Sequence, residues 1–295
     1  MLFVWRGSVL KLILPSVGTA VLVAVIVTLG VERSAWRPGL TVAPFSLLGI
    51  ALAIFLGFRN NASYERFWEA RRLWGALLND TRSLARQILT LSDGTATEQR
   101  NFVYVLIAFT HALRHQLRGT DATDSLRPLL QGCPPGTAER VGAAHYKPAV
   151  LLLIAGEELA ALRRQAKLEP ILASTFEPGL AALSGVLGGC ERISNTPLPF
   201  TYSVIIHRVI YLFVFLLPFG LVETAGWWTP VMVGFVAYMF LSLETLSDEI
   251  EEPFGTKPND LALDAMSATI EATLRELLGE EPVPPAPATQ QYYLT

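Results

Sequence analysis

The chain has 295 residues, of which 51% are hydrophobic and only 17% are charged, whereas an ordinary globular domain carries roughly 25% charged residues. Its formal net charge of -3 comes without a basic stripe, which excludes a typical nucleic-acid-binding domain. The two cysteines, Cys133 and Cys190, are too few for a disulfide framework and favour a reduced cytosolic setting. This composition indicates an integral membrane protein.

Four charge-poor segments are long enough to cross a membrane, since a helix spans the hydrocarbon core with about 20 apolar residues. They cover about 9–31, 41–58, 202–222 and 227–243. The segment 59–72 holds four arginines, whereas the two short loops between paired membrane segments hold two basic residues together. The positive-inside rule therefore places both termini and the long middle segment in the cytosol.

The rest of the chain is predicted to be helical, so the fold class is all-α. Residues 1–58 hold the first two membrane helices and 59–199 a helical cytosolic domain, whose first helix continues the second membrane helix without a break. Further helices are expected at about 97–117, 147–165 and 178–190. Residues 200–245 hold the other two membrane helices, 246–280 an acidic segment and a helix, and 281–295 a proline-rich, disordered tail.

The second membrane segment carries two regular stripes within GIALAIFLGF, residues 49–58. Small residues recur every four positions on one stripe, which permits neighbouring helices to approach closely. Large apolar residues on the other stripe would form three rings if identical helices surrounded an axis, and such rings can gate ions by dewetting. The two stripes are Gly49, Ala53 and Gly57, and Ile50, Ile54 and Phe58. Ordinary lipid-facing or helix-packing residues would give the same spacing.

Three motifs resemble those of the bestrophin family, in particular its bacterial members. They are FLGFRNNASYERFWEARRLWG, GGCERISNTPLPFTY and the acidic EEPFGTKPND, and their order agrees with the family across nearly the whole chain. The resemblance implies a homopentameric ion channel of the bacterial inner membrane rather than an enzyme, with a narrow membrane neck and a second, cytosolic constriction. It aligns Leu56–Phe58 with the neck motif of the family, which implies that Ile50, Ile54 and Phe58 are the neck rings.

The cytosolic constriction of the family follows an acidic residue and a proline. Here that pair is Glu169 and Pro170, so Ile171 is the candidate aperture residue. A plain helix start, with Pro170 in the first turn and Ile171 packed inside, is the alternative.

The chain departs from the animal members of the family in the residues that follow PFG. Animal members hold calcium in acidic residues after PFG, but here Lys257 stands among residues 256–260, and only Asp260 keeps a carboxylate. Calcium prefers six to eight oxygen ligands, so neither a metal nor a cofactor is expected.

Further copies of the chain, membrane lipid and monovalent ions are the expected partners. The acidic end of the fourth membrane helix favours cations such as sodium, with a chloride or other anion channel as the alternative.

Other features allow different interpretations. His111 and His115 have a spacing that can bind zinc on a helix, but no carboxylate lies near them in the sequence, and a basic solvated face is favoured. Glu249, Glu251 and Glu252 are expected to form a solvated acidic helix end. A secondary transporter is the main rival function, because 218–220 interrupts the third membrane segment, although the first half has no counterpart.

Overall fold

The structure, a computed structural model, describes residues 9–34 and 36–281. These residues form helices, turns and loops, with no strand among them, as the all-α prediction requires. Apart from residue 281, the predicted tail lies outside the described residues. In chain order, the helices are α1 (Leu10–Arg33), α2 (Val42–Leu91), α3 (Ala96–Leu117), α4 (Thr123–Leu126), α5 (Thr137–Ala143), α6 (Lys147–Arg164), α7 (Pro170–Ala173), α8 (Glu177–Asn195), α9 (Phe200–Ala225), α10 (Thr229–Glu251) and α11 (Leu263–Leu277), with a 3-10 turn, Gly226–Trp228, before α10.

The chain divides into two compact units, each built from two stretches of sequence. The first unit is Met1–Phe67 with Pro197–Pro253, and the second is Trp68–Thr196 with Phe254–Thr295. All four predicted membrane segments belong to the first unit. Its boundaries fall several residues beyond the predicted ends at 58 and 245, because α2 and α10 continue as unbroken helices after their last charge-free turn.

Within the described residues, four helical spans are long and apolar enough to cross a membrane. Leu10–Arg33 and Val42–Leu91 contain the first two predicted segments, and Phe200–Glu251 contains both the third and the fourth. The remaining span, Pro170–Asn195, lies in the predicted cytosolic domain. Length and composition thus add one candidate that the sequence analysis did not assign to the membrane.

In the first unit, small residues bring α1 close to α10. Ala20, Ala24 and Ala237 are fully buried at their contact, and a Cβ atom at Gly234 would come within 3.0 Å of Val21. Small side chains permit such an approach between apolar helices that have no other driving force for close packing. The same core continues along one side of α2 through Leu52 and Leu56 to α9.

Helix α9 continues through Pro218, so the predicted interruption at 218–220 is wrong. Apolar helices tolerate an internal proline when neighbouring helices and local adjustments satisfy the freed backbone carbonyl. The glycine beside it has a packing role, because a Cβ atom at Gly220 would lie 2.4 Å from the ring of Phe45. Only glycine permits the start of α2 to pack this closely against α9.

The second unit is organised around α3. Every residue from Phe102 to Leu113 is buried, which is typical of a helix surrounded by others on all sides. Its start is fixed by a capping box, in which the Thr95 hydroxyl accepts from the Glu98 N–H while the Glu98 carboxylate accepts from the Thr95 N–H. Helices α6, α8 and α11 pack against it, and each confirms a helix that the sequence predicts.

Candidate pore-lining residues and helix junctions

The predicted neck residues lie on the face of α2 that its own chain leaves uncovered. Ile50, Ile54 and Phe58 are 61%, 53% and 63% exposed, whereas Leu52 and Leu56 on the opposite face are buried. This division follows from the helical period of 3.6 residues, which separates the two sets by about half a turn. The membrane part of α2 therefore has one face in the core of the first unit and one apolar face that is open in the single chain.

The stripe of small residues has two different environments. A Cβ atom at Gly49 would lie 3.4 Å from the ring of Phe213, so this glycine packs against α9 of the same chain. Ala53 and Gly57 are exposed instead, and no atom would lie within 4 Å of a Cβ added at Gly57. Close helix packing within the chain is therefore found at one of the three positions.

Ile171 lies at the start of the short helix α7 and is 74% exposed. Glu169 precedes the helix, and Pro170 occupies its first turn, as expected of proline at a helix start. The helix-start interpretation is therefore correct for Pro170, but its second half is wrong, because Ile171 does not pack inside the chain. A proline in the first turn directs the chain without requiring its neighbour to be buried.

A cluster of charged side chains joins α2 to α10 immediately after the neck stripe. The buried Arg59 forms ion pairs with Asp248 and with Glu251, the latter at 3.7 Å. Arg66 Nε donates to the main-chain carbonyl of Glu251 at 3.2 Å. We call Arg59, Arg66, Asp248 and Glu251 the α2–α10 cluster.

The prediction of a solvated acidic end for α10 is wrong for Glu251, whereas Glu252 is exposed as predicted and Glu249 is half-buried. Glu251 is tied to Arg59 and also accepts from the N–H of Leu198 at 3.0 Å. Two turns earlier on α10, the buried Glu244 accepts from His207 Nδ1 on α9 at 2.5 Å. The acidic residues recur on one face of α10, and that face meets basic residues of neighbouring helices, although the side chain of Asp248 is still 53% exposed.

The two histidines on α3 contact different partners. His111 is buried and its Nε2 donates to Glu271 of α11 at 2.8 Å, which lowers the pKa of that carboxyl. His115 instead contacts Thr120 and Ser125, and burial, with the neighbouring positive charge of Arg114, lowers its pKa. The predicted solvated face is wrong because α11 covers this part of α3. Among the described residues, no group of three or more potential ligands converges.

The segment after PFG forms a tight turn in the second unit. Asp260 is nearly buried, and its Oδ2 accepts from the N–H of Lys257 at 2.7 Å. A carboxylate that accepts a backbone N–H three residues earlier stabilises the turn itself. The only carboxylate that follows PFG within residues 256–260 thus has a structural role in the turn.

Sequence reasoning missed the α2–α10 cluster, although a signal for it exists. Arg59 and Arg66 stand seven residues apart on α2, while Glu244, Asp248 and Glu251 are spaced by four and three residues on α10. Such spacings place each set on one helical face. The opposite charges of these two faces, one on α2 and one on α10, would have predicted that they pair.

Comparison with known proteins gives a consistent result across the chain. Residues 1–276 match the family model described as bacterial/fungal bestrophin protein. A Ralstonia nicotianae protein, named a voltage-dependent anion channel-forming protein, is 52% identical over 95% of this chain and 92% of its own length. The Escherichia coli K12 protein YneE bears the same description and is 41% identical over 99% of this chain and 95% of its own.

The fold has a close counterpart among solved structures. The crystal structure of a bacterial bestrophin homologue from Klebsiella pneumoniae superimposes with a TM-score of 0.86 and 44% sequence identity. The alignment covers 92% of this chain and 100% of the Klebsiella chain. Sequence and fold comparisons therefore agree over nearly the whole length.

Proposed function

The chain belongs to the bestrophin family of membrane ion channels, which are not enzymes, and we propose that it forms a homopentamer in which α2 of each copy lines a central pore. The observation that carries this proposal is the open apolar stripe of Ile50, Ile54 and Phe58. Around a fivefold axis these side chains would stack as three rings. Ala53 and Gly57, which face no neighbour in their own chain, would let adjacent copies approach closely.

The diameter of the neck, and the ease with which water leaves it, would control conduction. Apolar rings offer no ligand to a permeating ion, so a small decrease in diameter is enough to expel water and stop ion flow. Ile171 would form the second constriction on the cytosolic side, where its exposed side chain suits a ring of the same kind. A channel is favoured over a secondary transporter because α9 is an unbroken helix and the relatives are named as channel-forming proteins.

We place the second unit in the bacterial cytosol and the first in the inner membrane, following the arginines at 59–72. The span Pro170–Asn195 would then stay outside the bilayer. Its apolar face is already covered within the second unit, since Leu183 and Cys190 are fully buried and Gly179 and Gly189 admit the side chains of Leu84 and Leu73. A helix whose apolar side is used in this way has little surface left for lipid.

The sign of the permeating ion has two candidates. The names of the relatives favour anions, whereas the preference for cations rested on the acidic end of α10. That preference loses part of its support, because Asp248 and Glu251 share the buried Arg59, whose positive charge offsets one of their two negative charges. We therefore put a monovalent anion first and a monovalent cation such as sodium second.

Purified protein in a planar lipid bilayer with unequal salt on the two sides tests the proposal. We expect single-channel steps, and the sign of the reversal potential identifies the permeating ion. Ile54→Ala and Ile171→Ala should each raise the current, because a shorter side chain widens an apolar constriction. Native mass spectrometry of the same preparation should give the mass of five copies.

Ile26→Ala is the matched control, because Ile26 is an isoleucine of similar exposure on α1. It should conduct like the wild type. A wild-type protein that stays silent, together with silent Ile54→Ala and Ile171→Ala variants, would refute the channel. Equal effects at Ile26 and Ile54 would show that α2 does not line the pore.

A further inference from the structure

The last predicted ring of the neck is followed directly by the most buried charge of the α2–α10 cluster. Phe58 is largely exposed, whereas the side chain of Arg59 is only 2% exposed. Consecutive helical residues point about 100° apart. The direction of the Phe58 side chain is therefore fixed by whatever holds Arg59.

Arg59 is held by α10 through two carboxylates. It pairs with Asp248 and, at 3.7 Å, with Glu251, whose side chain is 13% exposed. One turn further along α2, the buried hydroxyls of Ser63 and Ser247 lie 2.9 Å apart, and Arg66 donates to the Glu251 carbonyl. The contacts thus extend over two turns of α2 and act together against rotation of that helix.

Glu251 connects this contact to a third helix. It is the last residue of α10, and its side chain forms an ion pair with Arg59 and accepts from the N–H of Leu198, two residues before α9. One carboxylate therefore links the end of α10 to the neck helix and to the segment that leads into α9. A displacement of the end of α10 would reach Arg59 through a direct ion pair.

Buried ion pairs are poor sources of stability, because desolvation offsets much of their attraction. Their geometric requirements are strict, however, because the donors of a planar guanidinium have fixed directions, whereas the ammonium of a lysine is a compact charge on a flexible stem. The cluster is thus better suited to fixing an orientation than to strengthening the fold.

We propose that Arg59 and Glu251 are positioning residues for conduction: their ion pair sets the rotation of α2 at its inner end, and with it the aperture formed by Phe58. The proposal rests on the proposed function, in which Phe58 lines the pore. It makes the end of α10 the element whose position determines the width of the innermost ring.

The test compares Arg59→Lys, Arg59→Gln and Glu251→Gln with the wild type in lipid bilayers. Arg192→Gln is the control, because Arg192 pairs with Glu69 on the same helix α2 but in the second unit. Single-channel conductance and the largest monovalent organic ion that permeates are measured, since a loss of folded protein lowers the number of channels without changing either quantity. Size-exclusion chromatography counts the assembled protein.

We expect the three cluster variants to change unit conductance by about twofold or more and to shift the size limit, as a narrow apolar ring responds strongly to its diameter. Arg192→Gln should keep both wild-type values. Wild-type conductance and size limit in Arg59→Lys and Glu251→Gln would overturn the inference while leaving the channel intact. Failure of all three variants to assemble would overturn it as well, because the cluster would then be a folding requirement. A silent wild type would instead refute the channel itself.

Discussion

Glu158 of α6 should make the stability of the protein fall as the pH rises. Both of its carboxylate oxygens are buried, and neither forms a hydrogen bond within the described part of the chain. It lines a cavity of about 320 Å³ with Arg140, but Arg140 is already bound to Glu157 at 2.6 and 3.1 Å. Burial raises the pKa of Glu158 from its ordinary value of 4.5 to about 8. The neighbouring Cys133 thiol stays neutral, since burial and Glu158 raise its pKa to about 12.

The sign follows from proton binding in the two states. Below pH 4.5 both the folded and the unfolded chain hold the proton, and the full stability is present. Between 4.5 and about 8 only the folded chain holds it, so the free energy of unfolding falls by about 1.4 kcal/mol per pH unit. Complete burial would give a loss of about 5 kcal/mol, and hydration of the ionised carboxylate should reduce the measured loss to about 2 kcal/mol.

Thermal unfolding of the full chain in detergent at pH 6 and pH 9 measures this effect. Glu158→Gln should unfold at a higher temperature than the wild type at pH 9, because the amide cannot ionise, and should flatten the pH dependence. Glu157→Gln is the matched control: Arg140 lowers the pKa of Glu157, so this carboxyl stays charged at both pH values, and the slope should match the wild type. Parallel pH profiles for Glu158→Gln and the wild type would refute the reasoning.

Two further predictions concern the packing of each unit. Gly220→Ala should lower the thermal stability, because its Cβ atom would meet the Phe45 ring at 2.4 Å and overpacking costs about 1–3 kcal/mol; a variant as stable as the wild type in the same assay would contradict that packing. His111→Ala should cost about 1–3 kcal/mol by leaving the half-buried Glu271 without its histidine donor. Zinc should shift the unfolding temperature of neither His111→Ala nor the wild type, and a zinc-dependent rise in the wild type alone would contradict the structural role of His111.

Much of the fold could be predicted because its signals are local. A charge-free run long enough to span a bilayer identifies a membrane helix without knowledge of its neighbours, and α1, α2, α9 and α10 were found in this way. The start of α3 was predicted within one residue of its observed position at Ala96. Spacing alone grouped Ile50, Ile54 and Phe58 as one stripe, and the resemblance then favoured a pore neck over ordinary lipid-facing or helix-packing residues.

The errors about charged side chains have one physical origin, which is that partners distant in sequence decide whether a charge is solvated. Arg59 and Asp248 are 189 residues apart, and His111 and Glu271 are 160 apart. Seen alone, HALRHQLR and the acidic end of α10 look like solvated helix faces. In each case the complementary residue arrives on a helix that the chain reaches much later, and no local pattern contains it.

An exposed apolar side chain on a membrane helix of this protein can face either lipid or another helix. Ile26 of α1 and Ile54 of α2 are almost equally exposed, and in a membrane an exposed isoleucine faces either lipid or a partner helix. What differs is the surroundings on each helix. Ala53 and Gly57 lie beside Ile54. Small residues like these offer little apolar surface to lipid but permit a second helix to approach closely. Arg59 follows one turn later, and its charge must be satisfied inside the protein. Helix α2 combines an exposed apolar stripe, exposed small residues and a charged residue that is paired with α10. This combination suits a helix that faces copies of itself.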